Sequence, residues 1–123
     1  MTLDELKEYI LGQYEAESDH SFEEDSSVIV FKRQDNKKWF AAAKNIGCRS
    51  VNVSRAGRID ILNVRLSPRD ITALRSRGGF RPAWRMNANS WVTILLDSSV
   101  PDDEIRSLLD KAFALAGTKG RKR

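Results

Sequence analysis

Along the first fourteen residues the apolar side chains Leu3, Leu6, Ile10 and Tyr14 recur at helical spacing, with Tyr9 beside them, which predicts an amphipathic helix. Thr2 and Glu5 precede that stripe as a Thr-x-x-Glu capping box, where each side chain satisfies a backbone N–H left over by the first turn. Residues 15–27 are polar and predict a connection. Residues 28–33 (VIVFKR) and 38–43 (KWFAAA) predict two strands, joined as a hairpin by the turn residues Gln34-Asp35-Asn36-Lys37. Residues 44–58 alternate weakly, through Val51 and Val53, and predict a loop or a poor strand. Residues 59–66 alternate more clearly, with Leu62, Val64 and Leu66 on one face.

The second half repeats this logic. Ser67-Pro68-Arg69-Asp70 starts a helix, with serine as N-cap, proline in the first turn and an acid at the third position. Ile71 and Leu74 face inward, and Gly78-Gly79 is expected to end the helix. Residues 80–86 predict a connection or short strand. Residues 91–97 predict a strand with Val92, Ile94 and Leu96 on one side. Pro101 and the acids Asp102, Asp103 and Glu104 open a last helix, where carboxylates meet the positive end of the helix dipole. Its buried stripe is Ile105, Leu108, Leu109, Ala112, Phe113 and Ala116, and Gly117 closes it. The order α-β-β-β-α-β-β-α, with hairpin-connected strands, predicts an α+β two-layer sandwich: an antiparallel sheet covered by helices. Residues 1–117 are expected to form this single domain, and 118–123 a basic, disordered tail.

Length and composition fit that picture. A chain of 123 residues buries roughly two thirds of its unfolded surface, enough for a core without cross-links. The single cysteine, Cys48, excludes an internal disulfide and suits a reducing compartment. The opening MTLDELKEYILGQYEAE is amphipathic and acidic, unlike a signal or transit peptide. No apolar run approaches the roughly 20 residues needed to cross a bilayer. The expectation is a soluble, cytoplasmic protein with no membrane partner.

Charge adds more. The net charge of +4 divides into nine acids and one lysine over residues 1–25, and twenty bases and eight acids over the rest. From Arg49 to Arg85 all nine basic residues are arginine, opposed only by Asp60 and Asp70. The plain reading is a solvated surface offset within the molecule by the acidic first helix. The sharper one is a cationic face for a polyanion.

Enzyme chemistry finds no constellation. His20 is the only histidine and stands in a polar segment, so neither a triad nor a metal pair builds around it. Cys48 lacks an activating partner in the sequence, Gly78-Gly79 follows a helix instead of opening one, and helix capping accounts for Asp102-Asp103-Glu104. The chain is expected to be no enzyme, with no catalytic residues, no metal and no cofactor. Trp39, Trp84 and Trp91 read first as packing residues. Arg75, Arg77, Arg81, Arg85, Asn87 and Asn89 remain as candidates for one polar nucleic-acid-binding surface, since arginine grips phosphate bidentately and asparagine matches an adenine edge.

The blocks KWFAAA (38–43), LSPRDITALR (66–75), GFRPAWRMNANSW (79–91) and LDSSVPDDEIRSLLDKAFALA (96–116) resemble the MmcQ/YjbR family of small bacterial proteins, in order and spacing, from Phe22 to Ala116. The resemblance implies a two-layer sandwich similar to CyaY and to secretion chaperones, and a DNA-binding role with a double-wing arrangement. Many relatives carry histidine just before the Met-Asn pair and before the tryptophan; here those positions are Arg85 and Ser90. The leading expectation is a non-enzymatic module that contacts DNA, as duplex, through phosphate contacts of the arginine-rich half. The alternative is a chaperone-like protein-interaction module that takes an acidic protein partner. A small-ligand pocket under the Trp84–Trp91 loop is a third, with no convergent polar set to mark it.

Overall fold

The computed structural model describes residues 1–117; the expected basic tail, 118–123, lies outside the described residues. Helix α1 (Leu3–Gln13) starts at the capping box, with Thr2 Oγ1 accepting from Glu5 N–H and Glu5 Oε1 accepting from Thr2 N–H. Strands β1 (Ala16–Asp19), β2 (Ile29–Arg33), β3 (Trp39–Gly47) and β4 (Arg58–Arg65) follow, then helix α2 (Pro68–Leu74), strands β5 (Phe80–Pro82) and β6 (Trp91–Leu95), and helix α3 (Asp102–Gly117). All neighbouring strands pair antiparallel, and their order across the sheet is β1-β2-β3-β4-β6-β5. The fold is therefore the α+β sandwich that the pattern predicts, with one strand more.

That extra strand is β1. Its sequence, Ala-Glu-Ser-Asp, buries only Ala16, so no apolar alternation marks it as a strand. It forms because β2 offers a free edge and the register sets Glu17 opposite Lys32 and Asp19 opposite Val30. Asp19 reaches Lys32 at 2.6 Å. A short, charged strand is also what keeps a sheet edge from pairing with other chains.

Three further boundaries differ from expectation. Strand β3 runs on to Gly47, through Lys44 and Asn45, whose polar groups find partners in Asp25 and Asp60. Beyond it lies only a 3-10 turn, Cys48–Val51. Helix α2 stops at Leu74, with Arg75 as its C-cap in a right-handed conformation, so Gly78-Gly79 do not end it. Gly79 is required for another reason: a Cβ there would stand 2.3 Å from Cγ2 of buried Val100.

All three helices cover one face of the sheet. Leu6, Ile10, Ile71, Leu74, Ile105 and Leu109 meet Phe31, Ala41, Leu62, Val64, Val92 and Ile94 in one core. A β-bulge at Phe40 adds a residue between the pairs Phe31–Ala41 and Lys32–Trp39. It turns Phe40 into the helical layer, edge to face with Phe113 at 5.1 Å, and leaves Trp39 on the other side.

The opposite face is covered without helices. Phe22 and Val28 pack there with Val30, Ala42, Trp84 and Met86, and Cys48 and Val51 pack with Ile46, Ile59, Ile61 and Leu95. Two buried polar residues, Asn63 and Thr93, face each other across β4 and β6 on this side.

Candidate nucleic-acid interface

The loop from Ala83 to Ser90 crosses the helix-free face and carries three of the six candidate residues. Its position is fixed by the buried pair beneath it. Thr93 Oγ1 donates to Asn63 Oδ1 and accepts from Trp84 N–H at 2.9 Å, while Asn63 Nδ2 donates to Trp84 O at 2.9 Å. Met86 Sδ lies 3.3 Å from the same Nδ2. Trp84 and Met86 thus plug the sheet, as the packing reading expects, and the cavity beneath them is about 10 Å³, the size of one water. Asn87 shapes the end of the loop: its Oδ1 accepts from Asn89 N–H at 2.8 Å, and its carbonyl accepts from Ser90 and Trp91 N–H. Its side-chain carbonyl is therefore already engaged in the turn. Asn89 is exposed. Arg85, at the loop's outer bend, has a left-handed backbone (φ 54°) and holds its guanidinium 5.0 Å from the Trp84 ring centre.

The arginines divide into two groups. Arg77 is clamped by a bidentate ion pair to Glu104 of α3 and lies 5.0 Å from the Phe80 ring. That guanidinium holds the Glu104 carboxyl below its usual range. Arg55 reaches Asp97 at 3.8 Å. Arg49, Arg58, Arg65, Arg69, Arg75, Arg81 and Arg85 make no ion pair among the described residues.

Of these, Arg81 is held by three hydrogen bonds to backbone carbonyls. Its Nε donates to Val51 O at 3.0 Å, and its Nη1 donates to Gly78 O at 2.7 Å and Phe80 O at 2.9 Å. Three carbonyls orient the group without cancelling its charge, and Nη2 has no partner among the described residues. Strand β5, which carries it, is the edge of the sheet, and Pro82 ends that strand.

Arg75 and Arg81 line one cleft of about 290 Å³, together with Ile71, Pro82, Ala88 and Val92. Of the six candidates these two border one cleft, Arg75 from the end of α2 and Arg81 from the edge strand, where the Arg81 guanidinium turns to Val51 O on the helix-free side; Asn87 and Asn89 flank Ala88 of the same cleft. Arg77 is diverted to Glu104, and Arg85 lies on Trp84. A second cleft, about 400 Å³, is lined by Lys38, Arg65, Ser67, Pro68 and Ser90 among others. The two share as walls the helix α2 and the 87–90 turn. Arg65 and Lys38 carry the groove beyond the region the sequence singles out. Strand alternation gives no sign that residues so far apart in the chain meet there.

Among residues 15–25 the acids that form ion pairs, Glu17, Asp19 and Asp25, meet Lys37, Lys32 and Lys44 of the β2–β3 region. The Lys32 ammonium, with Ser21 beside it, lowers the Asp19 carboxyl to about 2. Among the described residues no helix is long and apolar enough to cross a membrane, and there is no group of three or more His, Cys, Asp or Glu suited to a metal.

These features define a small two-layer α+β domain with three helices on one sheet face, loops on the other, and an arginine-lined cleft at one sheet edge. The chain belongs to the YjbR family, whose sequence model matches residues 11–115. It is 25% identical over 115 residues to protein YyaQ of Bacillus subtilis, covering 94% of this chain and 98% of that one. The crystal structure of a Pseudomonas syringae protein is similar with a TM-score of 0.87 at 29% identity, over 94% of this chain and 99% of the other. A solution structure from Pseudomonas syringae gives 0.84 at 28%, over 100% and 98%. A Deinococcus radiodurans crystal structure, at 21% identity and a TM-score of 0.75 over 99% and 83%, shares the fold.

Proposed function

We propose that this domain is a non-enzymatic binding module that holds nucleic acid by its phosphates along the groove between α2, β5 and the 87–90 turn. The observation that carries the reading is Arg81, oriented by three carbonyls yet met by no carboxylate, in one cleft with unpaired Arg75. A cation fixed in place loses little side-chain freedom when an anion arrives, and guanidinium geometry suits phosphate. Arg65 and Lys38, in the adjoining cleft, extend the positive track.

Fluorescence anisotropy with labelled oligonucleotides tests it. If about three phosphates are neutralised, affinity drops roughly 40-fold between 50 and 200 mM salt. Arg75→Ala weakens binding to all sequences alike and reduces the salt slope by about one. Arg77→Ala, whose side chain is bound to Glu104, leaves affinity within about twofold of the parent. An absence of binding to single or double strands at 50 mM salt overturns the proposal. A nuclease-resistant complex with an acidic protein would replace it with the protein-interaction reading.

A further inference from the structure

The last turn of α3 is fastened at two points to the β2–β3 hairpin. Arg33 Nη1 donates to Phe113 O at 2.7 Å, and Asn36 Nδ2 donates to Ala116 O at 2.8 Å. Ala116 O is one of the carbonyls that a helix end leaves without a partner inside the helix. Arg33 is itself held: Asp35 pairs with it at 2.7 Å, and its guanidinium stands 4.0 Å from the Phe113 ring centre. Gly117 leaves room for that guanidinium, since a Cβ there would lie 2.5 Å from Arg33 Nη1. The point at which the chain leaves α3 is therefore set beside the hairpin. The same hairpin carries Lys38, which borders the cleft of about 400 Å³ together with Arg65 and with Leu115 of α3.

Beyond that point lie Thr118, Lys119, Gly120, Arg121, Lys122 and Arg123, four bases and no acid. Resting on the nucleic-acid reading above, we infer that residues 118–123 are a second phosphate-binding segment, which continues the groove from its Lys38–Arg65 end. Of the carboxylates flanking the hairpin, Asp35 holds Arg33 and Glu17 holds Lys37, while Glu15 adds to the field at Arg33. Two of those three acids are thus engaged by other cations. Six residues reach about 20 Å at roughly 3.3 Å each. Duplex DNA presents one phosphate charge per ~1.7 Å of its axis, so about a dozen fall within that reach. Joined directly to the domain, the four bases meet the phosphates of a bound duplex at an effective concentration in the millimolar range. Each base that engages releases counterions and steepens the salt dependence of binding.

Anisotropy titrations of a labelled duplex of about 20 base pairs, between 50 and 200 mM salt, compare two proteins. One is the full chain; the other carries Lys119→Gln, Arg121→Gln, Lys122→Gln and Arg123→Gln, and a thermal melt checks that its fold is kept. The log–log salt slope of the variant is expected to fall by at least about 1.8, the share of two engaged bases. In amide NMR of the full chain, signals of residues 119–123 are expected to move together with those of Lys38 and Arg65 as duplex is added. Equal salt slopes for the two proteins overturn the inference and leave the groove standing. Movement of the 119–123 signals with Lys38 and Arg65 unmoved also overturns it, because the segment would then bind apart from the groove. A full chain that binds no duplex at 50 mM salt overturns both this inference and the reading it rests on.

Discussion

Thr93→Val is the most informative single perturbation of the loop that frames the cleft. The change preserves shape and removes one hydroxyl, which both donates to Asn63 Oδ1 and accepts from Trp84 N–H. Thr93 is 0% exposed and Asn63 2%, so bulk solvent does not reach either bond. Two polar groups are orphaned, each costing about 1–3 kcal/mol, so a loss near 3 kcal/mol is expected. For a chain of 123 residues the unfolding entropy is about 0.26 kcal/mol/K, which converts that loss into a fall of roughly 12 °C in Tm. Thr93→Ser keeps the hydroxyl and should lose less than about 1.5 kcal/mol. The double variant Asn63→Leu, Thr93→Val does not recover the loss, because Trp84 N–H and C=O stay unpaired in it. Urea unfolding followed by circular dichroism gives the free energies, and hydrogen exchange at the Trp84 amide reports the local opening. Should Thr93→Val fall within about 0.5 kcal/mol of the parent, the network does not hold the loop and the reasoning fails.

Two further outcomes follow from other contacts. Gly79→Ala places a Cβ against buried Val100, so a loss of about 1–3 kcal/mol is expected, whereas Gly78→Ala, with nothing within 4 Å, leaves Tm nearly unchanged; a thermal melt of both decides. Asp19 titrates at about 2 in the folded state because Lys32 and Ser21 stabilise its charged form. Its folded value lies below the unfolded one of about 4, so its contribution to stability is complete above that pH and is lost as pH falls toward 2. Carboxylate NMR titration of Lys32→Met should move the Asp19 midpoint upward, and an unchanged midpoint would refute the assignment.

What the sequence makes legible follows from periodicity. Helices α1 and α3 have complete apolar stripes and clear caps, and the faces assigned to Leu62, Val64 and Leu66, or to Val92, Ile94 and Leu96, are those found. Strand β1 is invisible because an edge strand needs only backbone partners, and its side chains are polar on both sides of Ala16. Gly79 carries a packing requirement that local turn chemistry cannot distinguish from a cap. Asn63 and Thr93 look like ordinary strand positions, since nothing in sequence tells that the loop 83–90 will place the Trp84 backbone above them. The cleft shows the same limit. Arg75 and Arg81 stand out by composition, but their separation from Arg77 depends on a carboxylate in α3.

The arrangement of charge gives the cationic edge its reach. Acid-rich β1 and arginine-bearing β5 are the two outer strands of a six-stranded sheet, and five inter-strand steps of ~4.8 Å set them about 24 Å apart. At physiological salt the Debye length is about 8 Å, so one edge scarcely feels the other. The acids of residues 15–25 that do form ion pairs find lysines close by, at Lys32, Lys37 and Lys44. A net charge of +4 therefore understates the field at this edge, where Arg75 and Arg81 form no ion pair among the described residues. An incoming anion would meet that local field and not the average of the molecule, which is why the proposed binding is expected at this edge although the chain carries 17 acids.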